Sequence, residues 1–161
     1  MSTLLLVLIC LAAICCAVIA GVFLTFSDFV MRSLNATTQP GGIEAMQVIN
    51  REVFRTVFMV QLIGMVVVSL LLIYLAWSST STNDVTHIYA GSATYLIAVF
   101  AVTMLGNVPL NERLDDMNHT DADTLTYWRT IYYPRWVRWN HIRTIGSGVA
   151  SLFFLLAAVN Y

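Results

Sequence analysis

Four stretches of this sequence are apolar over lengths that a water-soluble fold rarely offers: Leu4 to Phe26, Phe54 to Trp77, His87 to Leu105 and Arg143 to Tyr161. A helix rises 1.5 Å per residue, so crossing a hydrocarbon core of ~30 Å takes about 20 residues. Backbone facing lipid must satisfy its own hydrogen bonds, and no stretch alternates at the strand period, so all four are expected to be helices. The second is interrupted only by Gln61, Gly64 and Ser69. The third and fourth are the shortest, and the fourth is expected to begin at the membrane surface. The expected fold class is therefore all-α: an integral membrane four-helix bundle, a single domain over residues 1–161, with an interfacial helix over about 121–133 before the fourth span.

Composition agrees with a lipid solvent: 58% of residues are hydrophobic and 11% charged, with a mean hydropathy of +0.75. There is no lysine, and eight arginines nearly balance nine acids. That balance lacks the basic footprint of a nucleic-acid binder, so no nucleic-acid partner is expected. Cys10, Cys15 and Cys16 all lie in the first apolar run, where they act as small hydrophobes and say nothing about redox compartment. No basic residue precedes that run and it continues through Phe26, so it reads as a span rather than a cleavable leader.

The arginines set an orientation. Arg32, Arg51 and Arg55 flank the first connection and Arg113, Arg129, Arg135, Arg138 and Arg143 occupy the third, whereas the second, Ser78 to Thr86, has none. By the positive-inside rule the two long connections face the cytoplasm and both termini lie on the non-cytoplasmic side of a multi-pass protein. Within the first connection, Pro40-Gly41-Gly42 reads as a break. A helix over Ile43 to Phe54 then follows, with Glu44, Gln47, Arg51 and Arg55 on one face, running on into the second span. In the third connection Thr120 reads as a helix cap and Pro134 as the start of a new helix, with Trp128, Tyr132, Tyr133, Trp136 and Trp139 as an aromatic belt.

Three polar sets fall at the arginine-bearing end. Pro109 is expected to kink or end the third span, with Asn107 and Asn111 either capping the freed carbonyls or forming a polar pocket wall. Trp136, Asn140, Arg143 and Ser147 share one face of the helix entering the fourth span, with His141 beside them. Polar groups at that depth are costly unless they face protein or water, although Arg143 could instead reach the headgroups. Asn50 and Glu52 start the second span on the same side. No pair of ligands shares a helical face, so no metal and no cofactor is expected, while a site from His141, Glu52 and Glu112, or haem in an unfamiliar geometry, is not excluded.

The phrases GVFLTFSDFVM from Gly21, AMQVINR from Ala45, NVPLNERL from Asn107, and the stretch Trp128 to Thr144 ending WNHIRT resemble the anthrone-oxygenase-like family of small four-helix membrane proteins, in the same order along nearly the whole chain. The resemblance implies signature positions at Asn50, Asn107, Pro109, Asn111, Trp139, Asn140, His141 and Arg143. It also implies, as for some relatives, oxidation of a polyketide anthrone by dioxygen without a dedicated cofactor. On that reading His141 is the base, Asn107, Asn111 and Arg143 stabilise an oxyanion, and Asn50, Trp136, Trp139 and Asn140 bind a small, apolar aromatic substrate. The alternative is a non-catalytic protein whose polar cluster locks the fold and binds lipid, a quinone-like molecule or a protein partner; homo-oligomers are compatible with either.

Overall fold

The structure is a computed structural model that describes residues 3–78 and 85–160. Residues 79–84 of the second connection and Tyr161, the expected end of the fourth span, lie outside the described residues. Four long apolar helices are present: α1 (Thr3–Ala36) and, after a shorter α2 (Gln39–Glu52), α3 (Val57–Trp77), α4 (Thr86–Asp115) and α5 (Ala122–Val159). No strand occurs among the described residues.

The case for a lipid solvent is visible on single helices. On α1, Ile9, Ala12, Cys16, Ile19 and Phe23 are buried, while Leu4, Val7, Leu11, Ile14 and Val18 are exposed at the same alternating three- and four-residue spacing. On α3 the buried row is Leu62, Met65, Ser69, Leu72 and Ala76, and the exposed row is Val60, Ile63, Val67, Leu70 and Tyr74. A helix apolar on its outer face as well as its inner one has no stable place in water. The chain is a multi-pass integral membrane protein.

Length divides the molecule into two layers. The 21 residues of α3 span ~32 Å, enough for a bilayer, whereas α1, α4 and α5, with 34, 30 and 38 residues, are longer than α3 by nine to seventeen residues each. The excess projects at the arginine-bearing end, where it meets α2 and forms a cap with its own core of Met31, Ile43, Met46, Leu114, Tyr127, Trp128, Tyr132 and Trp136. Three members of the expected aromatic belt are thus core residues. Trp128 and Tyr132 stack with centroids 5.1 Å apart, and the Trp128 indole N–H donates to Asn35 Oδ1 at 2.9 Å. Large rings suit a small cap that must bury much area with few residues, provided their polar edges find acceptors.

Several helix boundaries differ from expectation. Pro40-Gly41-Gly42 lies inside the first turn of α2, where a missing N–H costs nothing, and the break falls at Thr37 and Thr38, whose backbone is extended. Gly42 is required by proximity: a Cβ there would sit 2.1 Å from the carbonyl oxygen of Leu34. The face of α2 is also displaced, since Gln47 turns inward with Ile43, Met46 and Asn50. It donates at 2.7 Å to both Leu114 O and Met117 O, carbonyls at the end of α4, where the helical ladder runs out of donors.

The second span does not continue from α2. After a 3-10 turn at Val53–Arg55 the chain is extended at Thr56, and the Thr56 hydroxyl accepts from Met59 N at 3.4 Å to start α3 afresh. Conversely α4 and α5 pass through Pro109 and Pro134 without ending. Each proline follows a widened π-type turn, Thr103–Asn107 and Trp128–Tyr132, which relieves the clash between the ring and the preceding turn. Thr120 does not cap α5; its hydroxyl donates to Asn118 Oδ1 at 3.0 Å, and Asp121 occupies the cap position.

Gly42→Ala is expected to destabilise the protein by ~1–3 kcal/mol through the forced displacement of α2 from α1. Gly21→Ala, where a Cβ meets nothing within 4 Å, is expected to leave thermal unfolding in detergent unchanged.

Candidate functional site at the arginine-bearing end

Where the membrane layer meets the cap, α1, α2, α3, α4 and α5 enclose a cleft of about 800 Å³. Its wall is mostly apolar, with Phe23, Phe26, Phe58, Leu62 and Phe100 prominent, and Asn50, Thr103, Asn107, Asn111, Asn140 and Arg143 supply polar groups. Arg51, Arg55, Glu112 and Asp115 lie at the rim, where Arg51 Nη1 is 3.3 Å from Asp115 Oδ1.

The polar floor comes from α5. Trp136, Asn140, Arg143 and Ser147 are all buried along one face. Arg143 is only 5% exposed, yet among the described residues no carboxylate lies within ion-pair distance. Its Nη2 donates to Asn140 Oδ1 at 2.6 Å and its Nη1 approaches Thr103 Oγ1 at 3.5 Å. The guanidinium lies 4.2 Å from the Phe23 ring centroid and 5.4 Å from that of Trp136. Such contacts soften the burial of a cation without neutralising it.

Asn140 is fixed in turn. Its amide donates to Phe23 O at 2.6 Å and Ser27 Oγ at 2.5 Å, leaving its carbonyl oxygen aimed at Arg143. Across the cleft, Asn107 Nδ2 donates to Trp136 O at 3.2 Å. Asn107 Oδ1 and Arg143 Nε are both buried without a hydrogen-bond partner. An orphan acceptor and an orphan charged donor among the residues lining one cleft are unusual in a protein interior, where nearly all such groups are paired.

A sequence profile described as anthrone oxygenase matches residues 51–153, well over half of the chain. The chain belongs to the anthrone oxygenase family. No curated protein and no solved structure matches it. The family match takes in Thr103, Asn107, Asn111, Trp136, Asn140 and Arg143; Phe23 and Asn50, which also line the cleft, and Ser27, which holds Asn140, come from the segment before it.

Of the residues singled out in the sequence, the fold of this anthrone oxygenase family member brings Asn50, Asn107, Asn111, Trp136, Asn140 and Arg143 to the cleft and leaves His141, Trp139 and Glu52 outside. His141 is exposed on the outer side of α5, because at 100° per residue a helix that turns positions 140 and 143 inward turns 141 outward. Trp139 lies against Gly106, whose hypothetical Cβ would be 2.7 Å from the indole, in a shallow hollow shared with Ile97 and Leu105. Glu52 is exposed and off the cleft wall. Among the described residues no three His, Cys, Asp or Glu side chains group as metal ligands, so the set His141, Glu52 and Glu112 does not assemble.

Asn107 and Asn111 do not cap their own helix. Asn107 bonds across to α5, and Asn111 Oδ1 accepts from Tyr132 Oη and from Trp136 Nε1, both at 2.9 Å, while Asn50 Nδ2 donates to Tyr132 Oη at 3.3 Å. Asn111 is the joint between cap and cleft. Sequence reasoning missed Thr103, Phe23 and Ser27. Thr103 sits one turn before Asn107, a spacing that could have suggested it, whereas Phe23 and Ser27 reach the site only through the packing of α1 on α5.

Asn111→Leu strands two buried donors of similar surroundings and is expected to cost ~1–3 kcal/mol per unsatisfied group, read as an earlier thermal unfolding in detergent. Arg143→Met, which removes a buried cation lacking a counter-ion, is expected to unfold at a temperature no lower than the native protein.

Proposed function

We propose that the cleft binds an ionisable planar aromatic molecule of the anthrone class and that the protein promotes its oxidation by dioxygen. The observation that carries the reading is a cleft lined both by the buried Arg143 guanidinium, with no carboxylate at ion-pair distance among the described residues, and by Asn107, whose Oδ1 is unpaired. That pair is complementary to a ligand offering an anionic oxygen and a neighbouring hydroxyl donor, and the apolar walls suit fused rings.

In this reading an anthrone enters as its enol tautomer and loses a proton, which leaves by the hydrated rim near Glu112 and Asp115. Arg143, oriented by Asn140 and Thr103, stabilises the enolate oxygen, as a preorganised donor in a poorly hydrated site can. The ring carbon opposite that oxygen then transfers electrons to dioxygen and forms a carbon–oxygen bond, giving a hydroperoxide once protonated. Loss of the remaining hydrogen on that carbon together with hydroxide cleaves the O–O bond and leaves a quinone carbonyl and water. One anthrone and one dioxygen thus yield one anthraquinone and one water, and the chain's own residues supply charge stabilisation and positioning. Under the same reading the arginine-bearing end faces the cytoplasm and both termini lie on the opposite side.

Oxygen uptake by the purified protein with an anthrone, corrected for protein-free autoxidation, tests this. Arg143→Met is expected to reduce the enzyme-dependent rate by about 100-fold or more, the scale seen when one oxyanion donor is removed. His141→Ala, on the outer face, is expected to retain the native rate. Uptake unaffected by Arg143→Met, or abolished by His141→Ala, counts against the assignment.

A further inference from the structure

The lining of the cleft reaches the apolar outer surface. Ile63 and Met104 line the cleft and are nevertheless 53% and 48% exposed, as is Phe54, at 68%, beside the rim. Ile63 belongs to the outer row of α3, between Val60 and Val67. Met104 lies on α4 beside Leu105, itself 81% exposed. These are the surfaces that the apolar rows of α1 and α3 assign to lipid.

This arrangement has a structural cause. Toward its far end α3 packs on the Thr86–Thr94 and Tyr95–Ala101 segments of α4, and Tyr95 Oη donates to Leu62 O at 2.7 Å. Below that bond the two helices separate, and α3 has no comparable packing on Thr103–Asn107 or Val108–Asp115. The extended residue Thr56 contributes, because the chain changes direction there and α2 is carried over the cap instead of filling the gap. Phe58, Met59, Phe100 and Thr103, from the same two helices, line the cleft together with Arg143.

We infer that this gap between α3 and α4 is a lateral portal through which an apolar aromatic ligand dissolved in the bilayer reaches Arg143, with Ile63 and Met104 setting the width of the entrance. An apolar planar molecule is concentrated in the membrane by burial of its own surface, so a route from lipid spares it a return to water. The charged rim, with its Arg51–Asp115 pair, is then the exit for protons and water rather than the entrance for the ligand. The portal concerns access alone and stands whether or not the bound molecule is oxidised.

A labelling experiment in proteoliposomes tests it without any turnover. In a background carrying Cys10→Ala, Cys15→Ala and Cys16→Ala, the substitution Thr103→Cys places one thiol inside the cleft. N-phenylmaleimide, which partitions into lipid, is expected to modify it at least about tenfold faster than a charged, water-confined maleimide, each rate normalised to the reagent's rate with a free thiol; tenfold corresponds to ~1.4 kcal/mol of barrier. Adding Ile63→Trp and Met104→Trp together is expected to slow the N-phenylmaleimide reaction by a similar factor, while Leu70→Trp, on the lipid face away from the gap, leaves it unchanged. Thermal unfolding of each variant is read in parallel, and Ile63→Phe with Met104→Phe serves if the tryptophan pair unfolds early. Equal normalised rates for the two reagents, or no slowing on narrowing the gap, overturn the portal. Failure of oxygen uptake with an anthrone would instead count against the oxidation reading and leave the portal standing.

Discussion

A guanidinium is buried among aromatic rings with no acid among the described residues to balance it, and much of the surrounding structure is arranged to hold it there. Arg143 is kept in place by Asn140, Asn140 by Phe23 O and Ser27, and the rings of Phe23 and Trp136 lie against the cation. Desolvating a charge costs several kcal/mol even after relaxation, and a fold that required only stability could place an apolar side chain at this depth. The cost is understandable if an anionic group completes the site. Ionisable residues within membrane spans are rare for this reason and tend to mark function.

The cap explains how such a site can be both dry and reachable. Three of the four spanning helices overrun the bilayer, and α2 with Trp128, Tyr132 and Trp136 closes a second core over the excess. The two layers are joined by a few polar contacts, chiefly Asn111 with Tyr132 and Trp136, and Gln47 with the terminal carbonyls of α4. Between the layers the cleft remains, because helices that diverge after the Tyr95–Leu62 bond cannot fill it. The π-type turns of α1, α4 and α5 lie near this boundary and re-aim the faces that carry the site.

Much of this was legible in the residues. The four apolar runs, the gathering of arginines at one end and the shared face of Trp136, Asn140, Arg143 and Ser147 all follow from periodicity, which is a property of one helix at a time. The helix ends were less legible. Pro109 read as a kink or an end and Pro134 as the start of a new helix, but both are absorbed by π-type turns, and the break came at Thr56, where no proline or glycine announces it. His141 illustrates the limit most directly. It is adjacent in sequence to Asn140 and chemically the natural base, yet the helical turn that buries Asn140 sends it outward.

The sequence by itself determined the solvent, the helical class, the number of long apolar segments and the family, because each depends on local composition, on 3.6-residue periodicity or on phrases a few residues long. Only the tertiary structure decided which polar groups meet. Ser27 and Asn140 are separated by 113 residues, and Asn50 and Tyr132 by 82. Whether Arg143 finds an acid, a headgroup or an empty cleft depends on how α1, α3 and α4 pack around it, a property of the interhelical contacts that no single stretch of chain contains.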